Sequence, residues 1–462
     1  MYEHDTIAAI ATPPGQGGIA IIRVSGPQAE TIARQVFVLA QPRARLLSHR
    51  LYFGRVCDPL TNQSLDQGLL ALMRAPRSYT GEDIVEIHCH GGRLLSQRVL
   101  AAVLSQGARL AYPGEFTKRA FLNGRLDLSQ AEAVLDLIQA ESDPSLHLAW
   151  EQLSGCLSAT CAALREKLLG LTAYVEAFLD FPEEDLPERA QTEMQQDIST
   201  LTAGITRLSA TFAQGKVYRE GIRTAIIGKP NVGKSSLLNL LAGTERAIVT
   251  SAPGTTRDIL EETIVVGGVP LVVWDTAGLR HTTDEVERIG VERARAGALA
   301  AELVLAVFDA SRPFDEEDKT VCDEIASKTV IAVLNKVDQP LVLDPADLGV
   351  HPHLGSPIYL SAQCGTGLAD LEARIRAAAY GTAVQMQEQT AGAMITRTRH
   401  RDALLKVEHS LQQASLSLQA GLPLDIVAVD LHEALDHLGE ITGHISSEDI
   451  LDLVFREFCI GK

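Results

Sequence analysis

Gly228-Lys229-Pro230-Asn231-Val232-Gly233-Lys234-Ser235 follows an apolar run, Ile222 to Ile227, and leads into a Leu-rich segment, Leu237 to Leu241. Strand, glycine-rich loop and helix in that order are what a phosphate-binding loop requires. The glycines permit a tight turn in which backbone N–H groups between Asn231 and Ser236, and the helix N-terminus behind them, face nucleotide phosphates. Lys234 can reach the β- and γ-phosphates, and the Ser235 hydroxyl can hold Mg²⁺. Roughly a few per cent of chains this long match such a pattern by accident. A Gly-rich surface turn is therefore the alternative until companion motifs are found.

The companions are present. Asp275-Thr276-Ala277-Gly278 ends a second apolar run, Leu271 to Trp274, where a carboxylate can support the Mg²⁺ shell and a glycine N–H can meet the γ-phosphate. Asn335-Lys336-Val337-Asp338 ends a third, Thr329 to Leu334. Asp338 can accept two hydrogen bonds from the guanine N1–H and N2–H₂ edge, a donor pair that adenine lacks. Pro357 to Leu360 leads into Ser361-Ala362, where a backbone N–H can meet guanine O6. Alone each tetrapeptide reads as an ordinary loop. Four in this order, each at the carboxyl end of a predicted strand, point to a GTP-hydrolysing α/β domain.

Two features narrow the type. Leu279 follows Gly278 where many regulatory GTPases place a water-orienting glutamine, so catalysis needs another arrangement. Asn231 lies inside the phosphate loop, and Thr250-Ser251-Ala252-Pro253-Gly254-Thr255-Thr256 follows the first helix. Thr256 is the natural second Mg²⁺ hydroxyl, on a segment the γ-phosphate would order. The Asn231 carbonyl and nearby backbone carbonyls can cage a monovalent cation against the phosphates, supplying positive charge as an arginine finger does. Asn231 reads equally well as a turn former.

The chain has 462 residues, enough for roughly three domains. No uncharged apolar stretch is long enough to span a bilayer, since Leu299 to Phe308 is too short and contains Glu302. The N-terminus lacks the basic region of a secretory signal, and seven scattered cysteines argue against a disulfide framework. A soluble cytoplasmic protein is expected. The net charge of −18 argues against a bare polyanion binder, so any action on RNA needs a local patch or a basic partner. Arg397-Thr-Arg399-His-Arg401 is one candidate patch, with a solvated helix face as the plainer account.

After Pro144 the apolar period becomes helical. Leu157, Cys161, Leu164, Leu168, Leu171, Val175 and Phe178 form one stripe, and Met194, Ile198, Leu201, Ile205, Leu208 and Phe212 another. The acidic, proline-containing residues 181–187 separate them, which predicts a long antiparallel helix pair. Ser129-Gln-Ala-Glu132 reads as a capping box, and residues 403–418 and 424–438 as further amphipathic helices. The fold class is multidomain: an α+β N-terminal domain (1–120), an all-α helical domain in two parts (121–215 and 381–462), and an inserted α/β P-loop GTPase domain (216–380). In the first, strand-like runs at 19–24, 68–73 and 84–87 alternate with helical ones. His88-Cys89-His90 resembles a metal triplet, but on a strand Cys89 faces away from the two histidines.

Further motifs carry a family resemblance: Asp5-Thr-Ile-Ala-Ala, Ala11-Thr-Pro-Pro-Gly15, Tyr79-Thr-Gly-Glu-Asp83, Pro113-Gly-Glu-Phe116, Arg119-Ala-Phe-Leu-Asn123, Asp284-Glu-Val-Glu-Arg-Ile-Gly290 and the terminal Phe458-Cys-Ile-Gly-Lys462. With the G motifs, the chain resembles the bacterial tRNA-modification GTPase family MnmE (TrmE) from end to end. The resemblance implies a folate-binding, dimerising N-terminal domain, hence a homodimer. It also implies an FAD-dependent partner, MnmG (GidA), joined in a heterotetramer. Together they would add an aminomethyl or carboxymethylaminomethyl group to C5 of the wobble uridine (U34) of certain tRNAs. The one-carbon donor would be a tetrahydrofolate derivative (5,10-methylene or 5-formyl), with FAD and NADH acting through the partner. GTP hydrolysis with K⁺-dependent pairing of G domains would drive the cycle, which raises the cation reading of Asn231 above the turn reading.

Carried over by position, the resemblance implies that Asn231, Thr250, Ala252 and Thr255 line the K⁺ site, and that Ser235 and Thr256 bind Mg²⁺. Glu287 matches an acidic residue that orients water indirectly, and Arg280 an arginine of the second switch. Arg23, Glu86, Arg125 and Lys462 match folate contacts, although the family can show Lys at the Arg125 position, with different geometry. Cys459 matches a cysteine linked to the modification, and Gln363 departs from the usual Lys after Ser361-Ala362. The G motifs alone would also fit a GTP-dependent ribosome-assembly or signalling switch, and the N-terminal domain a folate-using aminomethyl transferase.

Overall fold

The computed structural model describes residues 5–42, 45–180, 191–244, 261–274, 301–380, 393–445 and 448–462. The chain divides into two compact units, residues 1–135 with 435–462, and residues 136–434. The first unit thus takes in stretches 121–135 and 435–462 that the sequence assigns to a helical domain.

In the first unit, seven strands run in the spatial order Phe37–Leu39, Arg50–Cys57, Ser64–Met73, Ile84–His90, Ile19–Ser25, Ile7–Ile10, Arg109–Leu110. All neighbours are antiparallel except the last pair. Helices Ala29–Val36 and Arg93–Ser105 cover one face, burying Ile32, Val36, Val99 and Val103 against Ile22, Val24, Val85 and Ile87. The polar start of Ser64–Met73 escapes a reading based on apolar runs; it is strand because it pairs along its length with Arg50–Cys57. Cys89 points into the core with its thiol near the Ala20 carbonyl, and burial pushes that thiol up to about 11. His88 and His90 lie on the other face, beside Glu86 and Asp66.

The motifs of this unit bond to one another. The Arg119 guanidinium, 1% exposed, is ringed by Asp5, Glu82 and Glu115 at 2.6–3.3 Å. Arg109 closes the ring through Asp5 and Glu115. The helix Leu128–Gln139 does open on a capping box, but two residues earlier than expected. Asp127 accepts from the Gln130 N–H at 2.9 Å, and the Gln130 side chain accepts from the Asp127 N–H at 3.0 Å. The Ser129 hydroxyl donates to Asp127 at 2.7 Å, from inside the first turn.

In the second unit, helices Cys156–Asp180, Gln191–Ala210 and Thr398–Gln419 bury the predicted stripes, with Leu164, Phe178 and Phe212 half-buried; helix Leu424–Thr442, whose residues from Leu435 onward belong to the first unit, does the same. The expected pairing of the first two is secondary. Gln191–Ala210 packs chiefly along Thr398–Gln419, whose Val407, Leu411, Ala414 and Leu418 supply the apolar face, and Thr206 bonds Glu408 at 2.8 Å. The Arg397–Arg401 segment is mixed: Thr398 is exposed, Arg399 and Arg401 are half-buried, and Arg401 pairs with Asp402 at 2.9 Å. Arg397 and His400 are buried, and Arg397 donates to Asp136 at 2.6 Å. Arg219, at the end of helix Phe212–Glu220, donates to the same carboxylate oxygen at 3.0 Å, so the chain's entry to the nucleotide-domain sheet and its return are tied through one anion.

That sheet has the order Ile358–Leu360, Thr329–Asn335, Leu303–Asp309, Ile222–Ile227, Val269–Trp274, Glu261–Val266, parallel except for the last, antiparallel strand. Every residue of Leu303–Asp309 is buried, as a central parallel strand covered on both faces must be. Among the described residues no helix is long and apolar enough to cross a membrane.

Candidate functional site

Strand Ile222–Ile227 ends in the loop 228–233, and helix Lys234–Thr244 begins beyond it, anchored by buried Leu237, Leu238 and Leu241. Glycine is required twice. A Cβ on Gly228 would lie 2.2 Å from the Val307 carbonyl oxygen, and one on Gly233 2.2 Å from Asn335 Nδ2; both residues have positive φ. The loop therefore sits tight against the two neighbouring strand ends, with its outer side left for phosphate. The Lys234 ammonium donates to the carbonyls of Gly228 and Lys229 at 2.8 and 2.7 Å, so it lies across the mouth of the loop. Ser235 and Ser236 follow in the first helical turn. Lys229 is drawn outward by Asp315 and Asp318 at 2.6 and 2.7 Å.

The Asn335–Asp338 segment ties neighbouring loops together. The buried Asn335 side chain donates to the Val232 carbonyl at 2.8 Å and accepts from the Ala362 N–H at 2.9 Å, joining the phosphate loop to the Ser361–Ala362 loop. Lys336 donates to the Asn231 backbone carbonyl at 2.8 Å and to Asp309 at 2.6 Å. Asp338 accepts from the Ser361 hydroxyl at 2.5 Å, which orients its carboxylate at the pocket edge. Asp309 was missed from sequence, where it reads as the polar end of an apolar strand. Burial pushes its carboxyl up, but Lys336 and Ser311 outweigh this and hold it below the usual carboxylate range. The donor set fits a guanine nucleotide: a glycine cradle, an ammonium and hydroxyls at one end, an oriented carboxylate at the other. Thr250, Ser251, Ala252, Pro253, Gly254, Thr255, Thr256, Asp275, Thr276, Ala277, Gly278, Arg280 and Glu287 lie outside the described residues.

A second cluster occupies the first unit. Arg23 and Glu86 are cross-strand partners, and the guanidinium donates to one Glu86 oxygen at 2.9 Å. Tyr79 and Phe116 flank the guanidinium at 5.8 and 5.7 Å. The terminal segment arrives beside it, with the Gly461 carbonyl 3.4 Å from Arg23. Burial lowers the Lys462 pKa, the Arg23 charge adds to the effect, and Glu86 offsets part of it. Arg125 is exposed and runs beside Gly81, while Cys459 is exposed with its carbonyl bonded by Gly114 and Lys462 N–H groups.

Comparison with known proteins places these observations. A model described as the MnmE helical domain matches residues 128–459, and one described as the GTP-binding protein TrmE N-terminus matches residues 6–125. The tRNA modification GTPase MnmE of Lactiplantibacillus plantarum is 47% identical over 461 residues, covering 100% of this chain and 99% of that protein. The protein of the same name from Geobacter metallireducens is 47% identical over 465 residues, covering 100% of both. A crystal structure of Era with MgGDPNP and a 16S ribosomal RNA fragment aligns over 40% of this chain and 65% of that one, at 28% identity and a TM-score of 0.27. With both family models matched and near-half identity from end to end, the chain belongs to the MnmE family of tRNA modification GTPases.

Proposed function

We infer that this chain is a GTP hydrolase whose cycle serves tRNA modification. The observation that carries the reading is the Asn335 clamp, which holds phosphate loop and base loop in one frame within a member of this family. In that frame the loop N–H groups and helix N-terminus bind the phosphates, Lys234 neutralises charge on the β- and γ-phosphates, Ser235 holds Mg²⁺, and Asp338 selects guanine. Thr256 and Asp275 would complete the Mg²⁺ shell. Glu287 would orient the attacking water indirectly, with Arg280 in the second switch.

The Asn231 side chain, with Thr250, Ala252 and Thr255, holds K⁺ and pairs two G domains during hydrolysis. The Arg23–Glu86–Lys462 cluster takes the tetrahydrofolate derivative, with Arg125 as a further contact, and Cys459 takes part in the modification. The chain works as a homodimer with an MnmG-type FAD protein that uses NADH, on U34 of its tRNAs. Leu51 and Phe53, 59% and 57% exposed on a strand whose intervening Tyr52 and Gly54 are buried, support pairing of two copies.

Removing the gene should abolish the C5 substituent of wobble uridine in the cell's tRNA, read by mass spectrometry of digested nucleosides. An unchanged nucleoside profile would refute the assignment. Hydrolysis should be faster in KCl than in NaCl at equal ionic strength by about tenfold or more, the order expected for one preorganised charge at the transition state. Equal rates would remove the cation from the mechanism.

A further inference from the structure

Asn335 and Lys336 bond consecutive carbonyls of the phosphate loop, those of Val232 and Asn231. A trans peptide is planar, with its N–H opposite its carbonyl. Pinning those two carbonyls inward turns the N–H groups of Val232 and Gly233 outward, where phosphate binds. Each donor is itself held from behind: Asn335 by the Ala362 N–H, and Lys336 by Asp309. Both residues of the Lys336–Asn231 bond have left-handed backbones, with φ of 67° and 63°, a conformation costly for side-chain-bearing residues unless their surroundings impose it. Asp309 is 6% exposed and fully engaged, with one oxygen accepting from the Ser311 N–H and hydroxyl at 3.0 and 2.6 Å and the other from Lys336.

We propose that Asp309 is a positioning residue for nucleotide binding: acting through Lys336, it fixes the Asn231–Val232 peptide so that the Val232 N–H faces the phosphates. This rests on the GTPase reading above and adds to it a group that touches neither base nor phosphate. Without the carboxylate, the ammonium loses its counter-ion and turns to solvent, and the peptide it pins can rotate. The loss falls on ground-state binding of GDP and GTP alike, hence on KM more than kcat.

The test is a double-mutant cycle on the full chain with a fluorescent GDP analogue. Binding by the unaltered chain tests the GTPase reading separately. Asp309→Asn should weaken GDP and GTP by about tenfold, the scale of one charge-assisted hydrogen bond, with the nucleotide-free melting temperature held. In a Lys336→Met background the same change should cost less than about twofold, because its target is gone. Unchanged affinity in Asp309→Asn, or an equal loss in both backgrounds, overturns the proposal. If Asp309→Asn fails to fold, Ser311→Ala, which removes the hydroxyl bond to the other carboxylate oxygen and leaves the backbone N–H bond in place, should give a smaller loss that likewise vanishes with Lys336→Met. Persistence of that loss would overturn it too.

Discussion

Arg119→Met should destabilise the N-terminal unit by about 3–5 kcal/mol, the scale of removing one partner from a buried ion network. The methionine fills most of the space and brings no charge, so the loss reports on the stranded carboxylates of Asp5, Glu82 and Glu115. Burial pushes Asp5 and Glu115 upward, but hydrogen bonds from Arg109 and Arg119 outweigh it and lower both below their unfolded values of 3.8 and 4.5. Groups depressed in the folded state stabilise it above those unfolded values, and the contribution disappears as pH falls through the depressed ones. The gap between the two proteins should therefore be widest near neutrality and narrow at acid pH. Amide exchange in strands Ile7–Ile10 and Ile84–His90, followed by mass spectrometry, isolates this unit from the rest of the chain. Exchange rates equal to those of the parent at neutral pH would show that the ring contributes little.

Asp338→Asn should weaken GTP by roughly a hundredfold, because an amide in place of a carboxylate sets a donor against the guanine donors. The Ser361 hydroxyl can still donate to the asparagine carbonyl, so the side chain should stay in place and the fold be spared. The same chemistry predicts a gain: xanthosine triphosphate carries a C2 carbonyl that accepts from the new NH₂. Titration with both nucleotides separates recognition from collapse. An unaltered GTP affinity would mean that Asp338 does not read the base.

The nucleotide pocket was legible because its parts are local. Each G motif is a strand followed by a short loop, and glycine, lysine or aspartate at a fixed offset carries its chemistry wherever the strands lie. Helix stripes were legible for the same reason: period and apolarity are properties of ten or twenty consecutive residues. Partners were not. The stripe of Gln191–Ala210 states that a face must be buried, and it is Thr398–Gln419, some two hundred residues away, that chiefly buries it.

By itself, then, the sequence determined the phosphate loop, the helical stripes and the membership of a family whose motifs it spells out. Only the tertiary structure decided which groups hold those motifs in place. Asp309 behind Lys336 and Asp136 between two arginines read from sequence as unremarkable charges, and nothing in the motifs of Asp5, Glu82, Glu115 and Arg119 says that those side chains meet. A buried charge acquires its meaning from partners brought near it by the fold, and the burial that makes those partners necessary is invisible along the chain.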